Sequence, residues 1–159
     1  MGARVEIKIQ GVEALKERLL RKLDALYRVL DQALLQVCEE AVAYSKENKG
    51  YKDHTSNLKN SISFALFKDG ELIRMHEGRI PHPEEREKGQ EEVNVNLQGY
   101  IQQEGVVRPQ GYSLAIVAGM DYGKYVEAKG YPVVYMTKHF LDTEIPRAVA
   151  DALEAVRGI

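Results

Sequence analysis

The sequence predicts an α+β fold: a mainly antiparallel sheet of four to five strands, with a long N-terminal helix and a C-terminal helix packed on one face. Three observations carry this. One apolar stripe at helical spacing runs without a break from Val12 to Tyr44. Short alternating or compact apolar runs cluster in the middle of the chain. A second helical period closes the sequence. Strands grouped between flanking helices favour an antiparallel sheet covered on one side. The 159 residues suit one domain, with residues 77–111 a projecting loop insertion.

Residues 4–10 come first. Val5, Ile7 and Ile9 alternate with Arg4, Glu6, Lys8 and Gln10, the pattern of a half-buried strand. The stripe Val12, Leu15, Leu19, Leu23, Leu26, Leu30, Ala33, Val37, Ala41, Tyr44 then steps by three or four residues throughout. Strong helix formers fill the positions between, and no Pro or Gly interrupts them. At about 1.5 Å per residue this helix spans roughly 50 Å. Its stripe drifts from a strict seven-residue repeat, which argues against a coiled-coil arm. The expectation is that its N-terminal half covers the sheet while its far end extends beyond, as a candidate subunit contact.

A polar connector follows at residues 50–57, in which Asp53, Thr55 or Ser56 can cap a short turn carrying Leu58. Ile62, Phe64 and Leu66 alternate in a strand over residues 61–68. Asp69-Gly70 suits the positive φ angles of a tight hairpin, and residues 71–76 return as its second strand. Residues 77–111 are rich in Glu, Gln, Pro and Gly, a composition that buries little. Val93, Val95 and Leu97 alternate there and suggest a projecting arm. The run from Ser113 to Gly119 reads as a central strand. Met120 to Lys129 suggests a turn and short helix, and Gly130 to Tyr135 a loop entering another strand. From Thr137, the residues Phe140, Leu141, Ile145, Val149, Leu153 and Val156 fall at helical spacing, with Pro146 placed to kink or split the helix.

Chemistry is sparse. Hydrophobic residues make up 44% and charged residues 29%, with a formal net charge of -2, so no whole-protein drive toward nucleic acid exists. The single cysteine, Cys38, allows no intrachain disulfide and fits a packed thiol in a reducing compartment. No run of signal-peptide or membrane-span length occurs, pointing to a soluble, cytoplasmically made protein. His76 and His82, with Glu77 and Glu84, match no zinc spacing, and Asp53-His54-Thr55 is also what a capped turn looks like. His139 beside Phe140 reads as a surface or packing histidine. No phosphate-binding glycine loop or nucleophile elbow is present. The expectation is a protein that is not an enzyme, with no catalytic residue, cofactor or metal.

Tyrosine dominates the aromatics. Tyr122, Tyr125, Tyr131 and Tyr135 fall within 14 residues. A tyrosine buries its ring and keeps its hydroxyl wet, so this cluster suits either an interface or a tyrosine-rich core layer.

Taken in order, these segments resemble the tail-completion, or head–tail joining (neck, tail terminator), family of long-tailed bacteriophages. Members begin with a short strand and a Gly-Val/Leu-x-x-Leu entry to a long helix, here Gly11-Val12-Glu13-Ala14-Leu15. A Thr-Gly-x-Leu-x-x-Ser-Ile turn follows, here Thr55 to Ile62 with Ser56 in place of the glycine. A strand and a Tyr-x-x-Tyr-Val-Glu segment come next, here Tyr122 to Glu127, before a closing amphipathic helix. After Glu127 the family often carries Phe-Gly-Thr, where this chain has Ala128-Lys129-Gly130. The resemblance covers the chain except residues 77–111. It implies a structural virion protein at the tail or neck, assembled in the bacterial host cytoplasm: a homo-oligomeric ring, often a hexamer, that caps the tail tube and docks it to the capsid. Its partners would be itself and other neck and tail-tube proteins, with DNA passing through the lumen, no specific nucleic-acid binding and no membrane. The candidate subunit interface is Tyr122, Tyr125, Glu127, Tyr131 and Tyr135, helped by the sheet edge and the 77–111 loop. Two other readings stay open: a small intracellular protein–protein interaction module using the long helix, and an enzyme using His54 or the His76 and His82 loop.

Overall fold

The computed structural model describes residues 9–48, 50, 57–76, 78, 101, 104–119, 128–130 and 133–158. The elements run α1 (Val12–Glu47), α2 (Asn57–Asn60), β1 (Ile62–Lys68), β2 (Glu71–His76), β3 (Tyr112–Ala118) and α3 (Tyr135–Ala155). The fold is α+β, with a three-stranded antiparallel sheet in the order β2-β1-β3 among the described residues. The expected count of four to five strands is therefore not met there. Two of the expected strand positions explain the difference. The run 4–10 lies mostly outside the described residues, as do the short helix near 120–129 and the arm at Val93, Val95 and Leu97. The strand expected to end at Tyr135 does not form. The Val133 carbonyl accepts the Ser45 hydroxyl at 2.9 Å, and Thr137 N–H bonds to the Val134 carbonyl at 3.0 Å, closing the first turn of a helix instead.

β1 is the centre of the fold because both its faces are apolar. Ile62, Phe64 and Leu66 point to α1, where they meet Leu34, Cys38 and Val42. Their β3 partners in register, Ala118, Ile116 and Leu114, share that face. Ala65 and Phe67 point the other way and pack with Ile101, Ala115, Leu72 and Val107. A strand buried on both faces reads as a continuous apolar run rather than a strict alternation, and Phe64-Ala65-Leu66-Phe67 is such a run. The expectation that residues 77–111 bury little thus fails at Ile101, which is 1% exposed. The second sheet face needs a cover, and Ile101 with Val107 supplies it.

The hairpin turn uses Asp69 at φ 52 and Gly70 at φ 85, the two positive angles a tight primed turn requires. The Asp69 carboxylate accepts the Gly111 N–H at 2.8 Å, and Asp69 N–H returns to the Gly111 carbonyl at 2.9 Å. This clamp ties the hairpin tip to the start of β3. At the opposite end of β2, Gly78 donates its N–H to the Ser63 hydroxyl at 2.7 Å. A Cβ at Gly78 would collide with the Asn60 carbonyl oxygen and the Ser61 backbone, so no larger residue fits without moving backbone.

α1 reaches 36 residues, one turn past Tyr44, and ends at Asn48, whose side chain and N–H both bond the Tyr44 carbonyl. α3 runs antiparallel to its C-terminal half: the Tyr44 and Phe140 rings stack at 4.9 Å, and Ile145 reaches the shared core. Pro146 sits inside α3 without splitting it.

Candidate subunit interface

The expected division of α1 is reversed. Its buried residues, Leu34, Val37, Cys38, Ala41, Val42 and Ser45, all lie in the C-terminal half. The N-terminal half carries the same stripe in the open. Leu15 and Leu19 are each 58% exposed, and Val12, Leu20, Leu23 and Tyr27 are exposed as well. The reason is length. The three-stranded sheet and α3 reach only as far as the middle of the helix, and no described residue covers the remainder.

The boundary between the halves is a polar clasp. The Tyr112 hydroxyl donates to the Asp31 carboxylate, and the Lys68 ammonium stands 3.6 Å from the same carboxylate oxygen. That ammonium lies 4.0 Å from the centre of the Tyr27 ring. Burial first, and the adjoining Asp31 second, push the Tyr112 hydroxyl well above its ordinary pKa. The clasp joins α1 to β1 and β3 where the apolar packing ends. Nothing in the sequence flagged it, because its members are far apart in the chain: Asp31 lies 81 residues from Tyr112 and belongs to no local pattern with Lys68.

Beyond the clasp a groove of about 470 Å³ runs between α1 and α3. Its floor is small and apolar, with Ala33, Val37, Ala148, Ala152 and Ala155. Charged side chains rim it: Glu40, Glu144, Arg147 and Asp151. Glu144 and Arg147 pair with each other at 3.7 Å.

Of the residues expected at a subunit interface, Tyr122, Tyr125, Glu127 and Tyr131 lie outside the described residues. Tyr135 opens α3, is 61% exposed, and meets His139 edge to face at 6.1 Å. His54 and His82 also lie outside the described residues, while His76 stacks on Phe64 at 5.9 Å. Cys38 is fully buried, and its thiol is pushed up to about 12 by burial and the neighbouring Glu39. At neutral pH it is a protonated, packed thiol, which matches the expectation. Among the described residues no group of three or more His, Cys, Asp or Glu is placed to hold a metal ion, and no helix is long and apolar enough to cross a membrane.

The sequence carried no sign of the exposed half of α1, because adjacent leucines occur both there, at Leu19-Leu20, and in the buried half, at Leu34-Leu35. Family models, curated proteins and solved structures were all compared with this chain, and none matches.

Proposed function

We propose that this chain is a structural, non-catalytic subunit that acts by assembly, and that its place is the phage head–tail interface as a ring-forming tail-completion or tail-terminator protein. The observation that supports assembly is the bare apolar half of α1. A monomer seldom exposes so many leucines on one helix face, and such a patch marks an interaction surface. The ordered motifs from Gly11 to Glu127 support the virion role. In that role the subunits close into a ring through a heterologous contact, with two different surfaces on each copy. The test is genetic and visual. In a phage carrying this gene, its disruption is expected to leave filled heads and tails unjoined, with joining restored by the gene in trans. Joined, infectious particles formed without the protein would sink the virion role.

The same observation favours a second reading, a small intracellular interaction module whose exposed helix face binds a different protein. The two are separated by what occupies that face. Self-assembly of the purified chain favours the ring, whereas a strictly monomeric chain that captures a defined non-identical partner favours the module.

A further inference from the structure

We propose that the exposed N-terminal half of α1 in one copy lies in the α1–α3 groove of the next copy, making a head-to-tail contact. The inference rests on the assembly half of the proposed function and is independent of the virion half.

Three features of the molecule point to this occupant. The first is shape. Leu15, Leu19, Leu20 and Leu23 are projecting apolar side chains, and the groove floor of Ala33, Ala148, Ala152 and Ala155 is small enough to receive them. Ridges of large residues fit into rows of small ones on facing helices.

The second is charge. Between Val12 and Arg28 lie five basic and three acidic side chains. The acids are already engaged along the helix: Glu13 with Lys16, Glu17 with Arg21, Asp24 with Arg28. Arg18 and Lys22, one turn apart, make no ion pair among the described residues. At the groove, once Glu144 and Arg147 have paired, Glu40 and Asp151 carry carboxylates with no ion pair among the described residues. Among the described residues Glu40 accepts the Gln36 amide, at 2.8 Å. The arm thus offers two cations, and the groove two carboxylates, that have no ion pair among the described residues. Such pairs set register and orientation more than affinity. An arm-to-arm dimer would instead bring Arg18 and Lys22 toward their own copies with every nearby acid occupied.

The third is reach. The arm cannot fill its own groove. α1 is one continuous helix with no Pro or Gly between Val12 and Glu47. Leu19 stands about 20 Å along that rod from Ala33, so the groove it enters belongs to another copy.

The experiment uses the purified full chain. Leu19→Cys combined with Ala148→Cys is expected to give a ladder of covalent multimers under mild oxidation, since a disulfide needs Cα atoms within about 7 Å. Cys38 stays silent because it is buried. A second pair of variants keeps folding out of the question. Leu19→Lys and Ala155→Arg both change exposed residues, and their thermal melts should match the parent. Each alone should be monomeric by light scattering where the parent associates. Mixed together they should form a heterodimer and nothing larger, because only one intact arm and one intact groove remain. A parent chain monomeric at every concentration overturns the inference. So does Leu19→Cys cross-linking alone as efficiently as the double variant, or association that survives both Leu19→Lys and Ala155→Arg. Because these readouts use purified protein, their failure leaves the head–tail joining test to judge the virion role separately.

Discussion

Ile101 offers the sharpest test of how the second face of the sheet is built. Its side chain is 1% exposed and packs with Phe67, Ala65 and Ala115. Ile101→Ala removes three carbon groups, worth about 2.4 kcal/mol at ~0.8 kcal/mol each. Incomplete collapse of the site adds a cavity cost, so the expected total is about 3–4 kcal/mol, inside the usual 2–5 range for such truncations. That is a large share of the 5–15 kcal/mol that ordinarily separates folded from unfolded chains. The assay is urea denaturation followed by circular dichroism, with Val106→Ala as the exposed control from the same segment. The Ile101 variant should show a midpoint displaced well below the parent at unchanged slope, and the control should sit within about 0.5 kcal/mol of it. A loss under about 1 kcal/mol for Ile101→Ala would refute the reasoning, because Phe67 and Ala65 would then have their cover from elsewhere.

Two further outcomes follow from titratable groups. Tyr112→Phe removes the hydroxyl that donates to Asp31 and should cost about 1–2 kcal/mol, the low end for a bond to a charged group, since Asp31 keeps Lys68 and some solvent. The folded Tyr112 pKa lies above its ordinary value, so its contribution is complete below about pH 10 and is lost as pH rises beyond it. A stability-versus-pH series should therefore steepen downward above pH 10 in the parent and less in Tyr112→Phe; equal slopes would contradict the clasp. Cys38 should resist a thiol-specific reagent at pH 8 until denaturant is added, and stoichiometric labelling of the native protein would show that the thiol is not packed as described.

The residues carried some parts of this architecture plainly and others not at all. The α1 stripe, the Asp69-Gly70 turn and the paired strands follow from local periodicity and from the φ angles that Asp and Gly tolerate. What covers what did not follow, because burial depends on lengths compared across the chain. The stripe of α1 is continuous, yet only the stretch from Leu34 onward finds a sheet and a helix to lie against. Val133 and Val134 look like strand residues, but a hydroxyl from α1 takes the Val133 carbonyl, and α3 begins in their place. Ile101 sits in a polar, Gly-rich region whose average composition hid one deeply buried anchor. The arm and groove are visible only once the spare charges have been counted against their neighbours.

The Asp69–Gly111 clamp has a consequence for how the connection between β2 and β3 tolerates change. The long stretch of chain between those strands is pinned at Gly78 by the Ser63 hydroxyl, at Ile101 by the second core, and at Gly111 by Asp69. The entropy of closing a chain between fixed ends grows only with the logarithm of its length, so doubling the residues between two pins costs about 0.6 kcal/mol. The fold is held at the three pins, so single substitutions at Gly78, Ile101 or Asp69 are costly.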